Sequence, residues 1–141
     1  MVNELKIKMP SLSANEAMAR ATVAAFCAQL DPSAVEVADV KCAVSEAVTN
    51  CIVHGYKDTI GMIYINIRLY EERVVRIEIK DRGCGIEDVN AARQPLFTTD
   101  AANERSGMGF TVMESFCDAL KVRSKRGVGT SVTLIKIFEG R

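Results

Sequence analysis

Three polar residues recur at intervals of four within an otherwise apolar helical pattern. They are Glu46, Asn50 and His54, and residues four apart lie on the same face of an α-helix. The helical rise puts Glu46 and Asn50 about 6 Å apart along the axis. A carboxylate there can accept a proton from a nucleophile while the Asn50 amide oxygen holds a cation. A polar stripe facing water is the alternative, and His54 could simply cap or pack at the helix end.

A second group of candidates follows a predicted strand. Asp81 ends the strand, and Gly83 and Gly85 come directly behind it. Glycines let a planar ligand come close, and the carboxylate can accept a hydrogen bond from an exocyclic amine such as that of adenine. The pattern is not the dinucleotide fingerprint, because Asp88 stands at the third glycine position, and the sequence contains no P-loop. A glycine turn without a ligand is the alternative.

Two further glycine pairs could contact a ligand. The segment Gly107-Met108-Gly109 opens a predicted helix, and free backbone N–H groups at a helix start are suited to phosphate, with a flexible cap as the alternative. Arg105 precedes it and could approach a terminal phosphate, although a solvated charge is the simpler interpretation. The segment Gly127-Val128-Gly129 places the Thr130 hydroxyl at the head of the last strand, where a tight hairpin turn is the alternative.

Composition limits the classes of function. The chain has 141 residues, 48% hydrophobic and 26% charged, which predicts one globular domain over residues 1–141. Eighteen basic residues balance eighteen acidic ones, so no net field favours nucleic acid or a membrane. Five scattered cysteines and the lack of a signal peptide indicate a cytoplasmic protein with reduced thiols. The single histidine leaves little material for a zinc site or a Ser/His/Asp triad.

Hydrophobic periodicity predicts the elements that position these residues. Five strands are predicted over residues 4–9, 62–70, 73–80, 121–125 and 130–138. Two long helices reach Leu30 and Gly55 from capping boxes at Ser13 and Ser33, and a third spans about 107–117. The 62–70 and 73–80 strands are expected to form a hairpin at the sheet centre. The partner of the first strand could be in this chain or in another copy.

The segment 87–106 follows no period, contains Pro95 and exceeds the usual length of a connection, which is typical of a lid or of disorder. Helices segregated from an antiparallel or mixed sheet indicate a two-layer α/β sandwich.

The combination of motifs is more specific than each motif alone. In chain order the motifs are Glu46-x-x-x-Asn50, Asp81-x-Gly83-x-Gly85, Phe97-Thr98-Thr99, Gly107-x-Gly109 and Gly127-x-Gly129-Thr130. Their order and spacing resemble the Bergerat-type ATP-binding fold shared by gyrase, MutL, the large heat-shock chaperone and histidine kinases. Within that superfamily, the small size, the phrase at 46–56 and the run 95–110 resemble the anti-sigma serine kinases of sporulation.

The resemblance implies an α+β fold with a mixed, mostly antiparallel sheet, helices on one face and a flexible ATP lid at about 87–106. It implies ATP and Mg²⁺ as cofactors, with Glu46 as base, Asn50 as the Mg²⁺ ligand and Arg105 at the phosphate. The implied nucleotide contacts are Asn50, His54, Asp81, Gly83, Gly85, Ile86, Thr98, Thr99, Ser106, Gly107, Met108, Gly109, Phe110 and Thr130.

The favoured function is a protein serine kinase that also sequesters a sporulation sigma factor. By the resemblance, the acceptor is a serine on an anti-anti-sigma protein and a homodimer is expected. Arg20, on the predicted exposed side of the first helix, is a candidate partner contact. Histidine autophosphorylation is not expected, because the single histidine lies inside the nucleotide helix. Glu46 instead supplies a base for water or a seryl hydroxyl. A nucleotide-gated binding module and a plain ATPase remain the alternatives.

Overall fold

The computed structural model describes residues 1–93 and 109–140, which form a five-stranded sheet with helices packed against it. The strands are β1 (Asn3–Pro10), β2 (Met62–Tyr70), β3 (Val74–Asp81), β4 (Ala119–Lys125) and β5 (Gly129–Ile137). The helices are α1 (Ala14–Cys27), α2 (Ala34–Asn50), α3 (Val89–Ala92) and α4 (Phe110–Phe116). A 3₁₀ turn at Ala28–Leu30 extends α1, and a π-helical turn at Cys51–Gly55 extends α2.

The strand order across the sheet is β1-β2-β3-β5-β4, and all four described pairings are antiparallel. The predicted hairpin of β2 and β3 is present, and β3 is the central strand. β1 pairs with β2 of the same chain, which decides between the two partners that the sequence left open. The two-layer α+β fold is therefore confirmed, with an antiparallel sheet where the sequence also allowed a mixed one.

The core lies between the helices and one face of the sheet. Alternate side chains of β2 and β3 point into it, as predicted from their period-two pattern; they are Ile63, Ile65, Ile67, Leu69, Val75, Ile77 and Ile79. From α2 the buried stripe includes Val40, Val44 and Val48. Burial of this apolar surface, at roughly 25 cal/mol per Å², holds α2 firmly over the sheet. The polar residues of α2 are thereby placed relative to the ends of β3 and β5.

The predicted capping box at Ser33 is confirmed. The Glu36 N–H donates to Ser33 Oγ at 3.2 Å, and the Ser33 N–H donates to Glu36 Oε1 at 2.9 Å. Two unpaired donors of the first turn are satisfied by this exchange, so α2 begins at a defined residue.

The predicted capping box at Ser13 is wrong. Ser13 has helical dihedral angles and makes no side-chain capping bond. The chain already turns before this residue, because the Asn15 N–H donates to the Leu12 carbonyl at 2.9 Å. Glu16 pairs with Arg20 at 3.5 Å and is thus used on the helix surface.

Two boundaries near the turns also differ from prediction. β3 begins at Val74 and not at Arg73. Glu72 and Arg73 have left-handed φ angles of 62° and 61°, and a residue with such an angle cannot be part of an extended strand. Part of the predicted irregular lid is helical, since Asp88 caps α3 by accepting from the Ala91 N–H at 3.0 Å.

Positions 94–108 lie outside the described residues. Among the described residues, no helix is long and apolar enough to cross a membrane.

Candidate functional site

A cleft opens where the end of α2 meets the ends of β3 and β5, and its volume is about 350 Å³ when the space open to solvent is counted. It is lined by Ala47, Asn50, Cys51, His54, Gly55, Ile79, Asp81, Gly85, Ile86, Phe110, Thr130 and Val132. Seven of these residues are candidates from the sequence, namely Asn50, His54, Asp81, Gly85, Ile86, Phe110 and Thr130. The fold therefore brings together residues that are separated by as much as 80 positions in the chain.

Asp81 is the buried acceptor of this cleft. Its residue is only 4% exposed at the end of β3, and the Gly83 N–H donates to Oδ1 at 2.9 Å. Burial raises the pKa of Asp81, while hydrogen bonds from Gly83, the Cys51 thiol and the Thr130 backbone oppose that rise. A carboxylate held in this way is a directed acceptor in largely apolar surroundings, as an exocyclic amine requires.

Two glycines allow the backbone around Asp81 to close. A Cβ on Gly83 would overlap the Gly55 carbonyl, and a Cβ on Gly55 would lie 2.8 Å from Asp81 Oδ2. The Cys84 N–H donates to the Gly55 carbonyl at 2.9 Å, which joins the two segments. Gly83 thus serves backbone packing and the orientation of Asp81, and it is not part of the cleft wall.

The end of α2 differs from the regular helix that the sequence predicts. α2 is α-helical to Asn50 and continues as a π-helical turn to Gly55, with the Tyr56 N–H bonded to the Cys51 carbonyl at 2.9 Å. A π turn is wider than an α turn. The rule that residues four apart share one face holds for an α-helix, so it does not establish a shared face for Asn50 and His54. His54 still lines the cleft, and its carbonyl accepts from the Cys84 thiol at 3.0 Å.

Glu46 lies half-buried beside the cleft and lines a groove between α1 and α2 together with Arg20, Lys41 and Ser45. Burial raises the pKa of Glu46, and the charge of Glu16 raises it further. Both causes make the carboxylate a stronger base than an exposed glutamate.

α4 begins directly beside that carboxylate. Gly109 has a φ of 64° and precedes Phe110, and a Cβ on Gly109 would overlap Glu46 Oε2. Phe110 is 1% exposed and packs both in the core and at the cleft. α4 begins at Phe110 with Gly109 as its N-cap, and positions 107 and 108 of the predicted helix lie outside the described residues.

Thr130 lies opposite Asp81 in the β3–β5 register. Its hydroxyl is 2.8 Å from Ser124 Oγ, which donates to the Gly129 carbonyl at 3.0 Å and accepts from the Ile86 N–H at 2.7 Å. Ser124 therefore ties the Ile86 backbone to the strand pair. Sequence reasoning missed it, although the predicted outward alternation of Lys121, Arg123 and Lys125 could have shown that Ser124 points inward.

Cys51 is a second residue that sequence reasoning missed. It is 3% exposed and lines the cleft beside Asp81. Burial, followed by the Asp81 charge, raises the pKa of its thiol well above the usual value. The neutral thiol is therefore a hydrogen-bond donor to the Asp81 carboxylate, and no spacing in the sequence marks it as one.

Six predicted site residues lie outside the described residues and remain predictions: Thr98, Thr99, Arg105, Ser106, Gly107 and Met108. Within residues 1–93 and 109–140, no group of three His, Cys, Asp or Glu residues could hold a metal ion. Asn50 on the cleft wall nevertheless fits Mg²⁺, because a Mg²⁺ ion shared with phosphates and water needs few protein ligands.

Comparison with known families places this fold and cleft in a defined class. Residues 9–136 match the histidine kinase-like ATPase domain, so the chain belongs to that family of ATP-utilising domains. Two solved structures share the fold. The RsbU and RsbW domains of a Mycobacterium tuberculosis protein align with a TM-score of 0.68 and 19% identity, covering 97% of this chain and 33% of that one. A histidine kinase domain from Erythrobacter litoralis aligns with a TM-score of 0.57 and 17% identity, covering 84% of this chain and 59% of that one.

Curated relatives define the group more narrowly. A protein of Anoxybacillus flavithermus named anti-sigma F factor is 53% identical over 137 residues, which is 96% of this chain and 93% of the relative. An anti-sigma F factor of Caldanaerobacter subterraneus is 54% identical, covering 95% and 93%, and one of Bacillus licheniformis is 51% identical, covering 96% and 93%. Within the ATPase family, the chain therefore belongs to the anti-sigma F factors.

Proposed function

We propose that the chain binds Mg²⁺-ATP in the cleft, transfers the γ-phosphoryl group to a serine of an anti-anti-sigma protein, and sequesters the sporulation sigma factor sigma F. The observation that carries the proposal is the placement of Asn50 and Glu46. Asn50 is on the cleft wall, and Glu46, one turn earlier, borders the neighbouring groove. The hydroxyl of a partner serine that enters the groove would therefore reach the Glu46 carboxylate, where the groove adjoins the cleft.

The adenine is assigned to the inner part of the cleft. Ile79, Ile86 and Val132 supply apolar wall, and Asp81 supplies the acceptor for the 6-amino group. A mostly apolar cleft with one directed polar group is typical of small-molecule sites. Asn50 and the backbone at Gly109 would hold the phosphates.

Bound Mg²⁺ supplies charge neutralisation for the phosphates. Asn50 is proposed to hold it through its amide oxygen. Glu46 is proposed to take the proton of the attacking hydroxyl, a role to which its raised pKa is suited. In this proposal Asn50 positions the phosphates through Mg²⁺, and Glu46 activates the acceptor hydroxyl.

The groove beside Glu46 is proposed as the approach for the partner serine. Arg20 and Lys41 place positive charge along it, and an acidic segment near the serine would be attracted there. The Arg20 side chain is 40% exposed, and its ion pair with Glu16 is as long as 3.5 Å, so a partner carboxylate can compete for it. This supports Arg20 as a partner contact.

A nucleotide-gated binding module is the second candidate, and one observation favours it. Gly109, the N-cap of α4 and three residues beyond the predicted lid, lies against Glu46 at the groove. Ordering of the lid by nucleotide could thus change partner binding at the groove without any transfer.

Labelled ATP separates these candidates. The full chain is incubated with Mg²⁺ and γ-labelled ATP, first alone, then with sigma F, then with the anti-anti-sigma protein. Label on a serine of the last protein is expected. Release of labelled phosphate by the chain alone would indicate a plain ATPase. Nucleotide-dependent sigma F binding without any transfer would indicate the gated module.

A homodimer is also proposed, on the resemblance to the anti-sigma serine kinases. A cytoplasmic location is proposed as well, because the proposed sigma factor partner would be met there. Light scattering across a concentration series tests the dimer, and a monomer mass at all concentrations would contradict it.

A further inference from the structure

Tyr56 joins three segments around the cleft without lining it. Its hydroxyl donates to the Met62 carbonyl at 2.5 Å and accepts from the Arg82 N–H at 2.8 Å. Its ring occupies the space beside Gly61, where a Cβ would overlap it. The hydroxyl therefore connects the end of the π-helical turn, the start of β2 and the residue that follows Asp81.

The Arg82 bond lies at the centre of the turn that carries the acceptor. On one side of Arg82 is Asp81, and on the other is Gly83, whose N–H donates to Asp81 Oδ1 at 2.9 Å. Cys84 anchors the far end of the turn through its N–H bond to the Gly55 carbonyl at 2.9 Å. The Tyr56 hydroxyl holds Arg82 and the Gly55 carbonyl holds Cys84, so residues 82–84 are fixed at both ends.

The Arg82 side chain does not replace this attachment. Its guanidinium lies 5.1 Å from the centroid of the Tyr64 ring, and Tyr64 points to the sheet face opposite the core. Within the described turn, the Tyr56 hydroxyl is therefore the side-chain group that fixes the Arg82 backbone N–H.

We propose that Tyr56 is a positioning residue for base selection, because its hydroxyl fixes the Arg82 backbone and so holds the Asp81 carboxylate at the angle that receives a purine 6-amino group. The inference rests on the proposed ATP site. Tyr56 need not touch the nucleotide. Its removal should affect the part of the affinity that depends on the 6-amino group, and it should leave the contacts to ribose and phosphates unchanged.

The test compares two nucleotides on the full chain by calorimetry. ATP carries the 6-amino group, and purine riboside triphosphate has hydrogen in its place. Tyr56→Phe keeps the ring and removes both hydroxyl bonds. Misplacement of Asp81 then weakens its one hydrogen bond to the 6-amino group, which predicts about a three- to tenfold weaker ATP affinity and an unchanged affinity for the analogue. Tyr64→Phe, which keeps the ring facing Arg82, is the matched control and should change neither.

The outcomes are distinct. Equal weakening for both nucleotides, or no weakening for ATP, overturns the role of Tyr56 in base selection. Wild-type protein that binds neither nucleotide overturns the proposed ATP site and this inference with it. Wild-type protein that binds both equally overturns the Asp81–amine contact and leaves ATP binding intact. If Tyr56→Phe unfolds, hydrogen exchange of the Arg82 amide is measured in the wild-type chain, and an amide that exchanges as fast as a free one overturns the inference.

Discussion

The Glu46 carboxylate lies directly against the backbone of Gly109, so closely that a Cβ at Gly109 would overlap Glu46 Oε2. This contact joins the proposed base on α2 to the first described residue after the predicted lid. Because Gly109 also has a φ of 64°, both its conformation and its surroundings favour glycine.

Gly109→Ala is expected to reduce phosphate transfer, because the added methyl displaces the Glu46 carboxylate. Gly127→Ala is the matched control: its φ of 80° carries a similar backbone cost, of the order of 1 kcal/mol, but nothing lies within 4 Å of its Cβ. Thermal unfolding should show a similar backbone penalty in both variants, and single-turnover transfer should fall much more in Gly109→Ala. Equal transfer in the two variants would show that the contact does not matter for Glu46.

Glu46→Gln should separate affinity from chemistry. The amide is nearly isosteric but cannot take a proton, so transfer to the partner serine is expected to fall by about 10²–10⁴-fold. ATP affinity and sigma factor binding should stay close to wild type, since a base acts on the nucleophile. Single-turnover phosphorylation and calorimetry make the comparison. Transfer that survives the change would remove Glu46 from the mechanism.

The pH dependence of transfer should report the raised pKa of Glu46. The base must be ionised, so the rate falls as pH drops through that pKa, which burial and the Glu16 charge hold above the ordinary glutamate value of 4.5. Glu16→Gln removes the like charge and should move this fall to lower pH. The charged form is disfavoured in the folded state, so Glu46→Gln should not destabilise the protein at neutral pH. An acid limb that persists in Glu46→Gln would assign the titration to another group.

Asp81→Asn should weaken ATP binding strongly. The amide can present NH₂ to the adenine amine, and it also disturbs the bonds from Gly83 and Cys51, a mismatch of roughly 1–3 kcal/mol. Asp58→Asn, at an exposed aspartate, is the control. Calorimetry on the folded variants measures the difference, and an unchanged affinity in Asp81→Asn would exclude the adenine assignment.

Asn50→Ala should remove the Mg²⁺-dependent part of ATP affinity and leave metal-free binding largely intact, because the lost group is the proposed cation ligand. Thr49→Ala changes the exposed neighbour on the same helix and should behave as wild type. Titrations with Mg²⁺ and with chelator give the two affinities. Equal losses in both would mean that Asn50 only packs the helix.

Most of the architecture was predictable because it depends on local pattern. The alternation of Val75, Ile77 and Ile79 reflects one buried face of β3, and the spacing of Val40 and Val44 reflects one buried stripe of α2. A strand or helix with a single buried face must carry such a period in its sequence. Asn50 and Asp81 could be proposed for the same reason, since each has a defined place on or at the end of a periodic element.

The details of the site depend on contacts between distant segments. The sequence at Cys51–Gly55 does not distinguish an α-helix from a π turn. In the structure the π turn packs against Gly83, and its Gly55 carbonyl accepts from the Cys84 N–H. The Ser13 capping box was wrong for a local reason instead, because the chain had already turned at Leu12.

The sequence by itself determined the α+β fold and the main polar candidates, because burial imposes a period that can be read along the chain, whereas the structure decided that every described strand pairing is antiparallel. Only the tertiary structure decided that Cys51 donates to Asp81, that Tyr56 holds Arg82 and that Gly109 lies against Glu46. These pairs are separated by 26 to 63 positions. Hydrogen bonds and close contacts over such distances are set by sheet register and helix packing, which leave no periodic signal at the residues concerned.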